Sequence, residues 1–310
     1  MSVEVLKPGL LTTIQDRGRF GCGMLGIGRA GPMDEVAMRL ANALVGNGPE
    51  APVLEITLVG PRLRFHMPAT IALTGAEFPL ASWQPMRFEA GDVLDVGIAQ
   101  RGARGYLAIA GGWAAEPTLG SASTDVNAGI GGRPLHEGDR IATHANARAT
   151  GRDARWSLDP RPWFDADATH AIRAMRGTHF DLLDAASRDA LFTQTFRIGK
   201  DSNRAGFRLE GPSLALSAPF ELVSEPLAIG TLQLPPGGAP IALMAEHPTV
   251  GGYPRIAQIA AVDLPRLAQR RPGDAVRFAE IDLDGAQTRY LERERELAKL
   301  VEAIRERLHR

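Results

Sequence analysis

The feature that most constrains the fold is a recurrence of short alternating apolar runs, separated by turns rich in glycine and proline. The chain has 310 residues, of which 34 are glycine and 22 are proline. In the segment Arg62–His66 only Leu63 and Phe65 would face a core, which is the two-residue period of a half-buried strand. Similar runs occur at Val3–Lys7, Thr12–Asp16, Val53–Leu58, Thr70–Thr74, Val93–Ile98 and Gly105–Ala110. This pattern predicts a mostly β (α+β) protein.

Two segments interrupt the strand pattern and predict helices. Met33–Val45 places apolar residues on one stripe and stops at Gly46. Gln287–Arg310 is rich in Glu, Arg, Leu and Ala, which favour helix, and has a second apolar stripe. The residues of that second stripe are Leu297, Val301, Ile304 and Leu308. The tail is predicted either to dock on its own domain or to associate with a partner.

A weak internal repeat indicates two β units of related topology. Three pairs of similar segments follow in the same order: Leu58–Leu63 with Leu209–Leu214, Gly105–Ala110 with Gly252–Ala257, and Gly138-Asp139 with Gly273-Asp274. Between the two halves, residues 144–168 lack periodicity and are rich in Arg, Asp and Pro. We therefore predict a first barrel or sandwich at 1–145, a connection at 146–168, a second unit at 169–285 and a C-terminal amphipathic helix at 286–310.

Composition argues against several classes of protein. A net charge of −1 gives no electrostatic reason to bind nucleic acid or an anionic membrane. No apolar run approaches the roughly 20 residues that span a bilayer, and no secretory pattern opens the chain, so a cytoplasmic location is expected. The single cysteine, Cys22, excludes an intrachain disulfide and a cysteine-built zinc site. The histidine spacing gives no metal site either.

The best candidate for a functional site lies within Gly230–Ala257. Two apolar runs flank a Pro-Pro-Gly-Gly turn, and the second run leads into the segment Glu246–Pro254. A carboxylate, an imidazole and a hydroxyl therefore stand at the end of a strand. Two glycines follow, and a ligand can approach their backbone closely. Such an arrangement is typical of a site for a small polar substrate.

Acid–base chemistry and the binding of a substrate carboxylate suggest roles for these residues. Glu246 or His247 would move protons, and Arg204 would hold a carboxylate, which makes these three the predicted catalytic residues. The predicted substrate-binding residues are Asn203, Arg208, Gln233, Thr249, Gly251, Gly252 and Tyr253. Structural alternatives remain open: a surface ion pair for the arginines, a turn cap for Glu246, a hydrogen-bonded structural role for His247 and a simple bend at the glycines.

A second polar cluster comprises Thr13, Gln15, Asp16, Arg19 and Asp34. It is either a loop network or a cleft that faces a partner.

Ordered blocks along residues 3–282 resemble a known family. The blocks are Leu10–Arg19, Gly31–Asp34, Ala41–Asn47, Leu54–Thr57, Leu73–Ala76, Tyr106–Gly112, Leu119–Asp125, Ser202–Pro212, Leu232–Gly238 and Gly251–Pro254. They resemble the C subunit of 5-oxoprolinase, whose family is also described as allophanate hydrolase subunit 2 or the biotin-dependent carboxyltransferase family. The chain also resembles half of the carboxyltransferase region of urea carboxylase. The resemblance implies two tandem cyclophilin-like β-barrel domains with a few helices, in agreement with the internal repeat.

The resemblance also implies a reaction that several chains share. A companion subunit-B-like module and a subunit-A-like chain are the expected partners. Biotin on a partner chain or ATP hydrolysed by a partner chain is the expected cofactor. This chain has neither a biotin-accepting Ala-Met-Lys-Met sequence nor a phosphate-binding loop, so no covalently bound cofactor is expected on it.

The chain departs from the family pattern at the candidate site. The pattern resembles Asp-x-Gln-Thr-Thr-Gly-Gly-Tyr-Pro, and this chain has Glu246 in place of Asp, Pro248 in place of Gln and Val250 in place of the second Thr. A Ser-Glu-Gly of the pattern is also replaced by Ser-Glu-Pro, which ends at Pro226.

Three hypotheses for the function follow. The chain is a subunit of an enzyme that acts on a small amide, lactam or related acid. Alternatively, it is a non-catalytic regulator that binds the subunit-B-like module and relieves inhibition of a sensor kinase. A stand-alone hydrolase or lyase is the third hypothesis.

Overall fold

The computed structural model of the chain describes residues 2–144 and 156–308. The strands are β1 Ser2–Lys7, β2 Leu11–Gln15, β3 Val53–Thr57, β4 Arg62–Phe65, β5 Ala69–Glu77, β6 Pro85–Phe88, β7 Val93–Asp95, β8 Arg101–Ile109, β9 Arg140–Ala142, β10 Ile172–Arg176, β11 Phe196–Ile198, β12 Gly206–Glu210, β13 Glu225–Pro226, β14 Thr231–Gln233, β15 Ile241–Leu243, β16 Val250–Gly251, β17 Arg255–Ile259, β18 Ala275–Val276 and β19 Phe278–Glu280. The helices are α1 Glu35–Leu44, α2 Ala185–Thr193, α3 Leu264–Ala268 and α4 Leu283–Leu308.

The chain divides into two compact units that are not simple halves of the sequence. The first unit comprises residues 1–20, 30–166 and 296–310, and the second comprises 21–29 and 167–295. Part of the predicted connection, at 146–155, lies outside the described residues, as do the last two residues of the predicted tail helix. Within the described ranges, no helix is both long and apolar enough to cross a membrane.

Two antiparallel sheets form the first unit. One has the strand order β7-β4-β1-β9, and the other has the order β2-β3-β8-β5-β6. Both sheets contribute to one apolar cluster, to which β1 supplies Val3 and Val5 and β3 supplies Leu54 and Ile56. In the first of these sheets the predicted alternation is observed, because Leu63 is buried while its neighbours in β4 are exposed. The core of this unit therefore lies between the faces of its two sheets.

The second unit is built on an eight-stranded sheet that is nearly closed into a barrel. Its order is β18-β11-β12-β15-β14-β17-β10-β19. The two edge strands, β18 and β19, are consecutive in the chain and separated only by Arg277. Because the first and last strands of the sheet follow each other so closely, the sheet must curl until its edges meet. The prediction of a mostly β chain with barrel-type units, a few helices and a C-terminal helix is confirmed.

Helix α1 is the predicted helix of the first half. Asp34 is its N-cap, and its carboxylate accepts a hydrogen bond of 3.0 Å from the backbone N–H of Ala37. The predicted stripe is buried, and the helix packs in a second apolar cluster of the first unit. The sequence therefore predicted the face that this helix buries, while its start lies at Glu35 and not at the predicted Met33.

The C-terminal helix packs its predicted apolar stripe within the first unit. The sequence predicted either docking on its own domain or association with a partner. Leu297 and Ile304 are buried in the same cluster as α1, with Val301 and Leu308 packed against it. The second half of α4, from residue 296, therefore belongs to the first unit, while residues 283–295 belong to the second. A stripe specifies that a helix buries one face, but it does not specify which surface receives that face.

Candidate functional site

Arg204 and Glu246 meet at the ends of neighbouring chain segments in the second unit. The Glu246 backbone N–H donates to the Arg204 carbonyl at 2.8 Å, so the two residues stand side by side. Their side chains form an ion pair with 2.5 Å between Arg204 Nε and Glu246 Oε1. Only 3% of the Arg204 side chain and none of the Glu246 side chain is exposed. The structure thus brings together two predicted catalytic residues as a buried, charge-compensated pair.

Asn203 and Arg208 lie near Arg204 in sequence, and Asn203 stabilises a local turn. The Asn203 side-chain oxygen accepts hydrogen bonds from the backbone N–H groups of Ala205, at 2.8 Å, and Gly206, at 3.4 Å. This is the usual way in which asparagine stabilises a tight turn. Arg208 is exposed on β12, and the residues on either side of it in the strand are buried. Their role in substrate binding stays a prediction.

His247 follows the buried pair and is half-buried. Burial lowers the pKa of its imidazole, and a hydrogen bond to the Pro248 carbonyl partly opposes that change. The ring is therefore neutral at pH 7. Its Nδ1 lies 2.8 Å from the Pro248 carbonyl oxygen, which can only accept, so Nδ1 carries the proton. Nε2 is consequently the unprotonated nitrogen, which is the atom that accepts a proton in general-base chemistry.

The glycine pair allows close contacts within the loop. A Cβ at Gly251 would lie 2.8 Å from Leu227 Cδ1 and 2.9 Å from Gln233 Nε2. A Cβ at Gly252 would lie 3.0 Å from the Leu222 carbonyl oxygen. Both glycines are thus needed for packing in the described structure. Access of a ligand to their backbone N–H groups stays a prediction.

Gln233 and Tyr253 adjoin these glycines. Gln233 is buried at the end of β14, and its Nε2 donates a long hydrogen bond of 3.5 Å to the Tyr253 carbonyl. Tyr253 itself is exposed. Thr249 is half-buried, and its carbonyl accepts a hydrogen bond of 2.9 Å from Leu227 N–H. These contacts place Gln233, Thr249, Gly251 and Tyr253 in one region of the second unit.

A second set of residues, not singled out by the sequence, adjoins this region. The Arg255 guanidinium forms a close ion pair with Glu225. Glu225 lies opposite Gly251 in the β13–β16 pair, and Arg255 lies opposite Gln233 in the β14–β17 pair. The four residues therefore form a ring of neighbours. Glu225 stands in the Ser-Glu-Pro segment and Arg255 in the second repeat segment, but no sequence signal linked the two residues, which are 30 positions apart.

His179 completes this second set. Its ring Nδ1 accepts a hydrogen bond of 3.1 Å from the Arg255 backbone N–H, and the His179 backbone N–H donates to the Arg255 carbonyl at 3.0 Å. Burial lowers the pKa of this imidazole, and the positive charge of Arg255 lowers it further, while Glu225 partly opposes. The proton of the neutral ring is consequently on Nε2, so His179 is a hydrogen-bond donor at that atom.

The polar cluster predicted in the first half is a buried network of the first unit. Asp16 accepts hydrogen bonds from the hydroxyls of Ser121, at 2.5 Å, and Ser123, at 2.6 Å, and from the N–H groups of Ala122 and Gly18. Burial raises the pKa of this carboxyl, but the four hydrogen bonds outweigh burial, so its pKa lies below the ordinary value. Asp16 is thus an ionised structural carboxylate.

Thr13, Gln15 and Arg19 of the predicted cluster lie close to the same network, whereas Asp34 caps α1. The Gln15 side-chain amide donates to the Thr13 hydroxyl at 3.0 Å and to the Thr124 carbonyl at 2.8 Å. Arg19 donates to the carbonyls of Thr118 and Ser123.

Among the described residues, no group of three or more His, Cys, Asp or Glu side chains has a geometry that could hold a metal ion.

Comparison with known proteins gives consistent matches over nearly the whole chain. A family model described as "Carboxyltransferase domain, subdomain A and B" matches residues 25–280. The chain is 39% identical over 306 residues to the C subunit of 5-oxoprolinase from Escherichia coli, covering 94% of this chain and 96% of that protein. It is 34% identical to the corresponding 5-oxoprolinase protein of Haemophilus influenzae, covering 92% and 93%.

The structure of Kluyveromyces lactis urea carboxylase superposes with a TM-score of 0.86 at 29% identity. That match covers 98% of this chain but only 29% of the longer protein.

Proposed function

Because the chain belongs to the carboxyltransferase-domain family, subdomains A and B, we propose that it is one subunit of a hetero-oligomeric enzyme acting on a small amide, lactam or related acid. The observation that carries this proposal is the match to the C subunit of 5-oxoprolinase over 94% of this chain and 96% of the relative. A match of that extent supports a protein of the same kind, with companion subunit-B-like and subunit-A-like chains as partners. Biotin carried by a partner or ATP hydrolysed by a partner would supply the activation step.

In the proposed reaction, this chain binds the substrate and moves a proton. His247 Nε2 is the basic atom of a neutral imidazole and is assigned the proton transfer. Gln233 is assigned the orientation of the substrate amide, because it lies against Gly251 and opposite Arg255. The Arg204–Glu246 pair is assigned a positioning role, since it holds the start of the loop that carries His247.

The test is co-expression with the neighbouring subunits, followed by assay of the purified complex with 5-oxoproline and with urea in the presence of ATP. We expect turnover of one such substrate, and a reduction of at least about 100-fold in kcat for His247→Asn, the scale of lost acid–base catalysis. The exposed variant Arg208→Gln is expected to change KM more than kcat. A complex that assembles and turns over equally well with His247→Asn would contradict the assignment.

A second function is favoured by one specific observation. The predicted catalytic carboxylate, Glu246, is fully buried and ion-paired, so it does not face a substrate in this structure. A non-catalytic protein that binds the subunit-B-like module would need no accessible carboxylate. Mass determination and a turnover assay of the purified complex distinguish the two functions. A complex of defined mass with no turnover of any amide, lactam or acid substrate would support the regulatory function.

A further inference from the structure

His179 is an imidazole of the second unit to which the proposed reaction has assigned no role. The backbone N–H of Arg255 in β17 donates to its ring Nδ1 at 3.1 Å. A nitrogen that accepts a hydrogen bond carries no proton, so the ring is neutral and its proton is on Nε2. The His179 backbone N–H donates to the Arg255 carbonyl at 3.0 Å. These two bonds to a strand of the barrel fix both the tautomer and the place of the residue.

The Nε2–H group of His179 is a donor that the protein itself does not use. Among the described residues, none accepts a hydrogen bond from this nitrogen. The residue is half-buried, and Nε2 is not one of the side-chain nitrogens that protein atoms enclose without a partner. The Phe220 ring lies 5.6 Å from the imidazole, centroid to centroid, and covers part of it with apolar surface. An oriented donor beside apolar surface forms a stronger hydrogen bond to a ligand than a donor in water does.

The charges that act on this imidazole have opposite signs. Burial lowers the pKa of the ring, the positive charge of Arg255 lowers it further, and the negative charge of Glu225 partly opposes that change. The Arg255 guanidinium and the Glu225 carboxylate form a close ion pair, so together they add no net charge beside the ring. The imidazole is therefore neutral at pH 7, and it can donate from Nε2 without carrying a charge of its own.

The ion pair connects His179 to the residues that are assigned to the substrate. Arg255 lies opposite Gln233 in the β14–β17 pair, and Glu225 lies opposite Gly251 in the β13–β16 pair. Gln233 and Gly251 are themselves in contact, because a Cβ on Gly251 would lie 2.9 Å from Gln233 Nε2. His179 therefore adjoins the ring of residues that contains Gln233, which is assigned the orientation of the substrate amide.

His247 and His179 offer complementary hydrogen-bonding atoms to an amide. His247 has its proton on Nδ1 and an unprotonated Nε2, whereas His179 has the reverse arrangement. The loop that carries His247 is joined to the segment that carries Glu225 by a hydrogen bond of 2.9 Å from the Leu227 N–H to the Thr249 carbonyl. One imidazole can thus accept the N–H proton of an amide, while the other donates to its carbonyl oxygen.

We propose, on the basis of the proposed function, that His179 is a further catalytic residue whose Nε2–H donates a hydrogen bond to the carbonyl oxygen of the substrate amide. As His247 Nε2 removes the N–H proton of the amide, the electron pair of that bond delocalises onto the carbonyl oxygen. The hydrogen bond from His179 stabilises the negative charge that develops on this oxygen. The proton of His179 stays on its Nε2, and the substrate proton stays on His247, so the step requires no other reactant.

Two amide variants of His179 separate the donor from the structural hydrogen bond in the co-purified complex. Asparagine places its side-chain oxygen near the position of Nδ1 and can still accept from the Arg255 N–H, but it has no donor near the position of Nε2. Glutamine places its amide N–H group near the position of Nε2 but has no acceptor near the position of Nδ1. We expect His179→Asn to reduce kcat about 100-fold or more, the scale of a lost oxyanion donor, and His179→Gln to stay within about tenfold of the wild type. The matched control is His170→Asn, an exposed histidine of the same unit, which should leave kcat unchanged.

A purely structural role of His179 would give the reverse order of the two variants. His179→Gln loses the hydrogen bond from the Arg255 N–H, so it would then be the more impaired variant in both kcat and thermal unfolding. Both variants lose the ring contact with Phe220, so that loss does not affect the comparison. A wild-type kcat in His179→Asn, or a larger loss of kcat in His179→Gln than in His179→Asn, would overturn the proposal.

An NMR titration of the full wild-type chain tests the role of His179 without turnover. Acetamide is a neutral probe that carries an amide carbonyl. We expect it to move the Nε2–H proton signal of His179 downfield and to leave the ring signals of His170 unchanged. No movement of the His179 signal, or ring nitrogen shifts that place the proton on Nδ1, would overturn the proposal. Movement of the signal in a chain whose complex turns over no substrate would support the donor role and contradict the proposed function alone.

Discussion

At the scale of single residues, burial determines which charged side chains of the site are accessible to a substrate. Glu246 was predicted as an acid or base, but its carboxylate is fully buried against Arg204. The stability of such a pair depends on both partners being present, because removal of one leaves an uncompensated charge without water. Its role as a fixed point of the loop can therefore be measured separately from any role in catalysis.

Glu246→Gln is expected to lower the free energy of unfolding by about 3–5 kcal/mol, because the buried Arg204 charge loses this carboxylate. Chemical denaturation with urea measures this change. The matched control is Glu280→Gln, which removes the exposed pair of Glu280 with Arg176 and should change stability by about 0–1 kcal/mol.

The double variant Arg204→Met/Glu246→Leu tests the positioning role further. Apolar replacement of both partners is expected to restore most of the stability lost in Glu246→Gln. Catalysis by the co-purified complex should then remain measurable if the pair only positions the loop. A stable double variant without any activity would assign Glu246 to the chemistry itself.

Asp139 provides a residue-scale prediction on pH. Hydrogen bonds from Arg133 lower the pKa of this carboxyl from 3.8 to about 2. Because the folded-state pKa is depressed, the pair stabilises the protein above pH 3.8, and that contribution is lost as the pH falls through about 2. An NMR titration of the Asp139 carboxyl carbon should give the low value in the native chain and a value closer to 3.8 in Arg133→Gln. An unchanged titration midpoint of Asp139 in Arg133→Gln would show that Arg133 does not lower the pKa of this carboxyl.

At the scale of elements, the loop after β15 is shaped by a short strand pair. Strands β13 and β16 place Pro226 directly opposite Val250. These are two of the positions at which the chain departs from the family pattern, so the departures are neighbours and not independent changes. Pro226 provides no backbone N–H, and the side chain of Val250 has no hydroxyl. Substrate selection near this pair is therefore expected to differ from that of relatives with polar residues here.

The C-terminal helix gives an element-scale prediction. Leu297 is fully buried in the cluster that contains α1, whereas Leu291 of the same helix is 52% exposed. Leu297→Ala should lower the free energy of unfolding by about 2–5 kcal/mol, the range for large-to-small core substitutions. Leu291→Ala should stay within about 0.5 kcal/mol. Equal effects of the two substitutions in thermal unfolding would contradict the packing of this helix.

At the scale of the whole molecule, both units are discontinuous in sequence. The first unit takes residues 296–308 from the far end of the chain, and the second takes residues 21–29 from near its start. A unit that depends on a distant segment is completed only when the whole chain is present. We therefore propose that the unit boundaries differ from continuous domains at 1–145 and 169–285.

A fragment of residues 1–145 tests this view. The fragment lacks Leu297, Ile304 and Phe164, all of which are buried in the cluster around α1. We expect it to show little cooperative unfolding by circular dichroism, with partial recovery when a fragment of residues 156–308 is added. Cooperative unfolding of the short fragment alone would show that the C-terminal helix is dispensable.

The sequence by itself determined the local elements and the family. The alternation of Leu63 and Phe65 and the apolar stripe of α4 are set by short-range periodicity and backbone preferences, and both are observed. The ordered motifs identified the family because they span nearly the whole chain. Properties that depend on neighbours within a few residues are written directly into the sequence.

Only the tertiary structure decided which residues meet and which charges are compensated. The Arg204–Glu246 pair joins residues 42 positions apart, and Arg255 meets Glu225 across 30 positions. Whether a charged side chain is paired depends on burial and on partners from distant segments. The free-energy cost of burying a charged side chain depends on these distant partners, which no local sequence pattern specifies.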